Sequence, residues 1–353
     1  MSQPRSPYFI GPFFDATLIG GFSVAVFVAM KIGGTEGYQT EALHAAALLM
    51  WVVNWPHFSA TNYRLYHSAE YRAQYPMTAY VVPFAMAASV VLALASPNDF
   101  GSYFIKVYII WSPYHFSAQT MGVAIVYGVR SGFFMTPLER RCLSAFVFCT
   151  FLYPTALFEV GTVDAWYFGI KYPPFGIPAW VPDALLGVMI AAGAGFLALL
   201  AANKERKGQR WPPWIFFIPA VTQYVWFVAG RDLVGYREFV PAFHSLQYLL
   251  IAWAVQLKER VDAVDGGDTP RPRWFLRRET ARWYAVNVVG GIALFWILPR
   301  VAALGGTSLL VAEGILAAAA QVHHFFVDGV IWKLRYKAVS SPLMASLSEM
   351  ARP

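Results

Sequence analysis

Helix-length apolar stretches recur from one end of the chain to the other, and that recurrence limits the fold more than any motif does. Hydropathy windows place them at roughly 15–34, 42–66, 77–95, 102–128, 142–160, 180–202, 213–230, 239–257, 283–303 and 308–334. Of the 353 residues, 58% are hydrophobic and only 13% are charged. Inside a bilayer each segment must satisfy its own backbone hydrogen bonds, so these stretches read as helices. The expected fold is all-α: a polytopic transmembrane helical bundle of about ten spans, forming a single integral-membrane domain over residues 1–353. The first run starts past Asp15 without the short core and cleavage site of a signal peptide, so it is expected to be retained. One stretch reads as a linker: the loop 258–282 between spans eight and nine, where "VDAVDGGDTPRPR" gathers Gly, Asp and Pro. The following "RWFLRRETARWYA" suits a headgroup layer.

Charge sets the orientation. Lys and Arg gather in "NYRLYHSAEYRAQ", "GVRSGFFMTPLERR", "NKERKGQR", the 258–282 loop and the tail "KLRYK", all of which follow even-numbered spans. By the positive-inside rule both termini are then cytoplasmic, and the expected location is a bacterial inner (cytoplasmic) membrane, crossed many times. Topology and anionic headgroups account for the net charge of +7, so no nucleic-acid partner is implied. Cys142 and Cys149 form no CxxC pair, which excludes a disulfide framework and a zinc ribbon. Nothing in the sequence speaks to oligomeric state.

The unusual residues are histidines inside apolar spans. "WPHFSAT" and "YHFSAQT" share His-Phe-Ser-Ala, "FHSLQY" resembles them loosely, and "QVHHFFVDGVIWK" carries an adjacent pair. His57, His115, His244, His323 and His324 all lie on even-numbered spans, which run in one direction. His57 precedes Arg64 by seven residues, His323 precedes Lys333 by ten, His244 precedes Lys258 by fourteen and His115 precedes Arg130 by fifteen. At about 1.5 Å per residue, the five imidazoles share a slab on the order of 12 Å deep. Pro56, Pro113 and Pro241 lie one, two and three residues before a histidine, and each is expected to bend its helix and free a carbonyl beside an internal chamber.

Polar groups inside membranes face the bundle interior, and several neutral imidazoles at one depth are best satisfied by a shared cation. The five histidines are therefore expected to form one metal site, with the last helix supplying two ligands and the others one each. Imidazole ligands without thiols suit iron first, with copper, zinc or a haem b as alternatives. Asp328 and Tyr248 are the candidates for catalytic work, Asp328 as ligand or orienter. Gln119, Gln247 and Gln321, each a turn or less from a histidine, are candidates for holding the cofactor's ligands in place. His44 reads as a packing residue, His67 as an interfacial one, and Glu313 as too far toward the outside to ligate.

A redox-active metal in an apolar chamber points to dioxygen and a hydrophobic small molecule or lipid arriving from the membrane. The expected function is an oxidoreductase or oxygenase acting on a lipid or isoprenoid. Two alternatives remain open: a proton-coupled transporter, for which broken helices and buried His and Asp would also serve, and a b-type haem redox protein. In outline the arrangement resembles the membrane non-haem iron enzymes that draw histidines from several helices: the bacterial β-carotene oxygenases and the fatty-acid desaturases and hydroxylases. The HxxxH and HxxHH boxes of the desaturases are absent here, as is a "PHGxxDH"-like opening, and no residue role is transferred.

Overall fold

The computed structural model describes residues 6–34, 38–161, 164–207, 210–265, 270–332 and 342–352. The described chain is all-α apart from short strand pairs. Its helices are α1 (Pro12–Gly33), α2 (Gln39–Leu49), α3 (Trp55–His67), α4 (Met77–Ala95), α5 (Ser102–Arg130), α6 (Pro137–Glu159), α7 (Trp180–Lys207), α8 (Trp214–Ala229), α9 (Val240–Asp265), α10 (Arg273–Ala303) and α11 (Leu309–Ile331). Six of these are long and apolar enough to cross a membrane: α1, α4, α6, α7, α10 and α11. The other expected spans are helical as well, but three of them (α3, α5 and α9) carry the histidines together with inward Gln, Ser, Thr and Arg, which lowers their hydropathy.

Proline explains the local irregularities. A π-helical turn, Met50–Asn54, joins α2 to α3 directly ahead of Pro56, and similar turns precede Pro83 within α4 and Pro299 within α10. Proline offers no N–H and its ring crowds the carbonyl four residues back, so widening the preceding turn relieves the clash. The carbonyl freed by Pro56 belongs to Val52, and it accepts a hydrogen bond from the Tyr284 hydroxyl. That carbonyl is therefore not left unpaired, and its partner stands on α10 instead of beside His57.

The two ends of the bundle differ. At one end, which carries most of the basic residues, Arg130 donates to the carbonyls of Ser6, Pro7, Tyr8, Leu343 and Ala345, tying both ends of the described chain to α5. Asp15 is buried nearby, its carboxylate accepting from the backbone N–H groups of Phe9, Ile10 and Gly11 and from the Tyr127 hydroxyl. Arg64, at the end of α3, reaches Glu259 at 3.1 Å and donates to the Tyr71 hydroxyl at 2.7 Å. Burial pushes the Tyr71 phenol up to about 12, so it stays protonated and donates to Glu259 while accepting from Arg64. At the opposite end, the antiparallel hairpin of β1 (Ala165–Tyr167) and β2 (Ile170–Tyr172) folds over the bundle. It is held by a buried pair, Lys106 Nζ to Glu159 at 3.2 Å, and by Tyr172 and the Phe175 N–H donating to the same carboxylate. Phe168, at φ 51°, turns the hairpin and packs onto Gly314 of α11, where a Cβ would come within 2.5 Å of Phe168 Cβ.

The 258–282 stretch differs from the expected linker. α9 continues to Asp265 and α10 already begins at Arg273, with residues 266–269 outside the described residues. Leu257, Val261, Leu276 and Met350 form a small apolar cluster, and Arg260 pairs with Glu279 at 3.0 Å. That packing extends both helices through a segment whose charge marks it as non-membrane. Lys333 and Arg335, in the basic tail "KLRYK", lie outside the described residues.

Candidate metal centre

Four of the five histidines meet at one point. His57 comes from the first turns of α3, His115 from the middle of α5, His244 from the start of α9 and His324 from α11, and all four are buried. The Nε2 atoms of His57 and His324 are 3.0 Å apart, and those of His324 and His115 are 3.1 Å apart. One ligand atom from each of the four lies within 4.8 Å of every other.

Hydrogen bonding alone does not satisfy this group. His324 Nε2 faces two other ring nitrogens and can either donate one proton or accept one. The Nδ1 atoms of His57 and His324 and both ring nitrogens of His244 have no partner. Buried polar groups left in this way are costly. Ligands about 2.0–2.1 Å from a metal ion, separated by angles of about 90–110°, lie about 2.9–3.4 Å from one another. The two Nε2–Nε2 spacings at His324 fall in that range and the remaining ones stay within 4.8 Å, so the residues present fit a single imidazole-bound metal ion after small ring adjustments.

The rings are held by packing. His244 stacks on Phe116 with centroids 4.0 Å apart, and His57 meets the Tyr248 ring edge-on at 4.3 Å. The expected glutamine partners act through the backbone: Gln119 Nε2 donates to the His244 carbonyl at 3.0 Å and lies 3.3 Å from Gln247 Oε1, while Gln247 donates to the Ile19 carbonyl. Asn54, three residues before His57, donates to the Pro241 carbonyl and to Ser245, joining α3 to α9 across the site.

Asp328 sits one turn further along α11, on the side toward the basic end. Its Oδ2 is 3.6 Å from His115 Nε2 and 3.7 Å from His324 Nε2, outside the tight set of four. Its Oδ1 accepts from the Trp332 indole at 3.1 Å and lies 3.4 Å from Thr61 Oγ1, which is itself 2.6 Å from the Tyr248 hydroxyl. Trp332 is a partner that the sequence did not single out. Only its i+4 spacing from Asp328 could have marked it.

The remaining candidates lie elsewhere. His323 points away from the cluster, stacked on Tyr66 with its Nε2 3.3 Å from the Tyr66 hydroxyl. The expectation of two ligands from α11 is therefore not met: adjacent residues are about 100° apart on a helix, and only one of them can face the axis of the bundle. Gln321 stands beside Tyr108 on the wall of a cavity at the hairpin end. His67 is exposed and stacks on Tyr63, Glu313 pairs with Arg300 at 3.7 Å, and His44 is exposed instead of packed.

One cavity lies beside the site and a second reaches it. One, of about 750 Å³, lies toward the hairpin end, and its floor is Asn54, Ser112, Pro241 and Gln321. Each of these precedes one of the four clustered histidines by three residues, so the floor is a single helical turn above the cluster. The second, of about 300 Å³, lies between α5 and α11 and is lined by His115 and Asp328 themselves. No protein-family model matches the chain, and comparison with curated proteins and with solved structures found no similar protein or fold, so the reading of the site rests on its own geometry.

Proposed function

We propose that this is an integral-membrane oxidoreductase in which His57, His115, His244 and His324 hold one redox-active metal ion, iron before copper, and which oxidises a hydrophobic substrate from the bilayer with dioxygen. The observation that carries the reading is the convergence of three Nε2 atoms at 3.0 and 3.1 Å, joined by a fourth buried histidine, on helices from four separate parts of the chain. Such an ion supplies one-electron and dioxygen chemistry that side chains lack. The protein's own part is to fix the imidazoles, keep bulk water out with Phe58, Phe116 and Phe325, and place a carboxylate, Asp328, where a proton can be held beside the substrate. Tyr248 and Thr61 steady that carboxylate and the His57 ring.

In this reading the chain makes ten passes of a bacterial cytoplasmic membrane, with the basic end on the cytoplasmic side. The spacing speaks against haem b, whose two axial nitrogens stand on opposite faces of a macrocycle about 4 Å apart, with the ring between them. It also speaks against a proton relay, which needs separated stations, whereas these imidazoles aim at one point.

Metal analysis of the purified protein with its visible spectrum tests the proposal. About one equivalent of iron without a Soret band is the expected result. A Soret band, or protein that remains metal-free after anaerobic exposure to ferrous ion, would overturn it.

A further inference from the structure

The smaller cavity is a groove with a definite direction. Along α5 its wall is Tyr114, Ala118, Gly122 and Val126, spaced four residues apart; along α11 it is Phe325, Asp328, Gly329 and Trp332. Tyr114, Ala118 and Gly329 are exposed, so the groove opens sideways on helices that stand in the bilayer. Its polar groups, His115, Asp328, Gln119 and Tyr248, sit at one end, and Val126 and Leu343 line the other, toward the basic end.

Gly122 and Gly329 are not close-packing glycines; Gly187 of α7 shares that property, but only these two line either cavity. A Cβ placed on Gly314, Gly290 or Gly291 would come within 2.5, 2.2 or 2.6 Å of Phe168, Ser59 or Trp55, so those glycines permit close approach of neighbouring elements. A Cβ on Gly122 or Gly329 would meet nothing within 4 Å. Glycine in a helix interior costs about 1 kcal/mol relative to alanine, and here no contact within the protein offsets it. What the two glycines preserve is the empty width of the groove.

The length fits as well. From His115 to Val126 is eleven residues, about 16 Å of helix, against about 15 Å for one leaflet of a 30 Å hydrocarbon core. We propose that this groove binds a single apolar chain, acyl or isoprenoid, drawn laterally from the inner leaflet, with its polar end toward Val126 and Leu343 and its distal segment against His115 and Asp328. This rests on the function proposed above and adds where oxidation falls: far from the polar end of the substrate, at the depth of the bilayer centre. The larger cavity on the hairpin side is then left for the small co-reactant.

The experiment uses the metal-analysed full-length protein in liposomes containing a sixteen-carbon fatty acid with a terminal alkyne and a photoreactive diazirine, placed either near the carboxylate or near the far end. Adducts are mapped by peptide mass spectrometry. The distal diazirine should label Phe325–Gly329 and the proximal one Val126 and Leu343, in excess over the lipid-facing side of α4 at Phe84 and Val91. Gly329→Trp and, on the opposite wall, Gly122→Leu should each reduce groove labelling about tenfold at unchanged metal content, while Ala317→Trp in the larger cavity should not. Labelling no higher than at Phe84, a reversed order of the two probes, or labelling that survives both groove variants would overturn the inference. Ordered groove labelling in a protein that holds no metal would instead overturn the oxidoreductase reading, leaving a chain-binding site without that chemistry.

Discussion

The helices that carry histidines and the helices that surround them obey different rules. α4 and α7 are apolar on nearly every side and expose Phe84, Val91, Val188 and Ile190, as a surface in contact with acyl chains should. α3, α5 and α9 bury His, Ser, Thr, Gln and Arg and fail a simple hydropathy test for a span. α11 is intermediate: apolar enough to pass, yet carrying His324 and Asp328 on its inner face. Hydropathy thus identifies the shell of such a protein, while its working core is marked by polar residues at helical spacing within moderately apolar segments.

That contrast can be broken by substitution. The largest effect is expected at the centre: His324→Ala removes the nitrogen that stands between His57 and His115, and metal content should fall at least about 100-fold while the protein still inserts. His323→Ala, one residue away but turned toward Tyr66, should leave metal content unchanged, and parallel metal analysis checks both. Loss of metal in both variants would mean that the two histidines act as one unit and that the contrast between inner and outer faces of α11 fails.

Next in size is Asp328→Asn. A carboxylate that orients or ligates should cost about 10- to 100-fold in metal affinity when neutralised, measured by competition with a chelator. A third test strikes the scaffold away from the metal. Lys106→Met leaves Glu159 as an unpaired buried charge, which should destabilise the hairpin end by about 3–5 kcal/mol, seen as a lowered thermal transition in detergent, with metal stoichiometry retained at low temperature. The smallest effect is expected for Gln321→Leu, on the wall of the larger cavity: metal affinity should stay within about twofold, because that side chain does not reach the imidazoles. A larger change would tie the hairpin-side cavity to the metal more closely than its geometry implies.

The sequence discloses some of these features and hides others for identifiable reasons. The co-depth of His57, His115, His244 and His324 follows from counting residues to the nearest charge on helices that run the same way, and the four do converge. Rotation about the helix axis is not contained in such a count, which is why His323 passed as a fifth ligand. Gln119 and Gln247 were legible as neighbours of histidines, but their use of backbone carbonyls depends on the relative heights of α1, α5 and α9. Of the three prolines, Pro56 does follow a widened turn, whereas Pro113 lies inside one continuous helix and Pro241 in the first turn of α9. The Tyr284 hydroxyl that bonds Val52 lies more than two hundred residues away and no local pattern links them. The end of α9 was misread because its charged turns gain stability from the Arg260–Glu279 pair and from contact with Met350, again distant in sequence.

The position of His324 has a consequence for biogenesis. Its Nε2 is the one that neighbours two others, and it stands on the last long helix of the described chain. During synthesis the α3, α5 and α9 histidines enter the membrane well before it does. Until α11 docks, His57 and His115 lack the nitrogen that links them, so a partly made chain has only an incomplete claim on a metal ion. On the proposed function, capture of the ion would then report that α11 has arrived in register, and a redox-active centre would be withheld until it does.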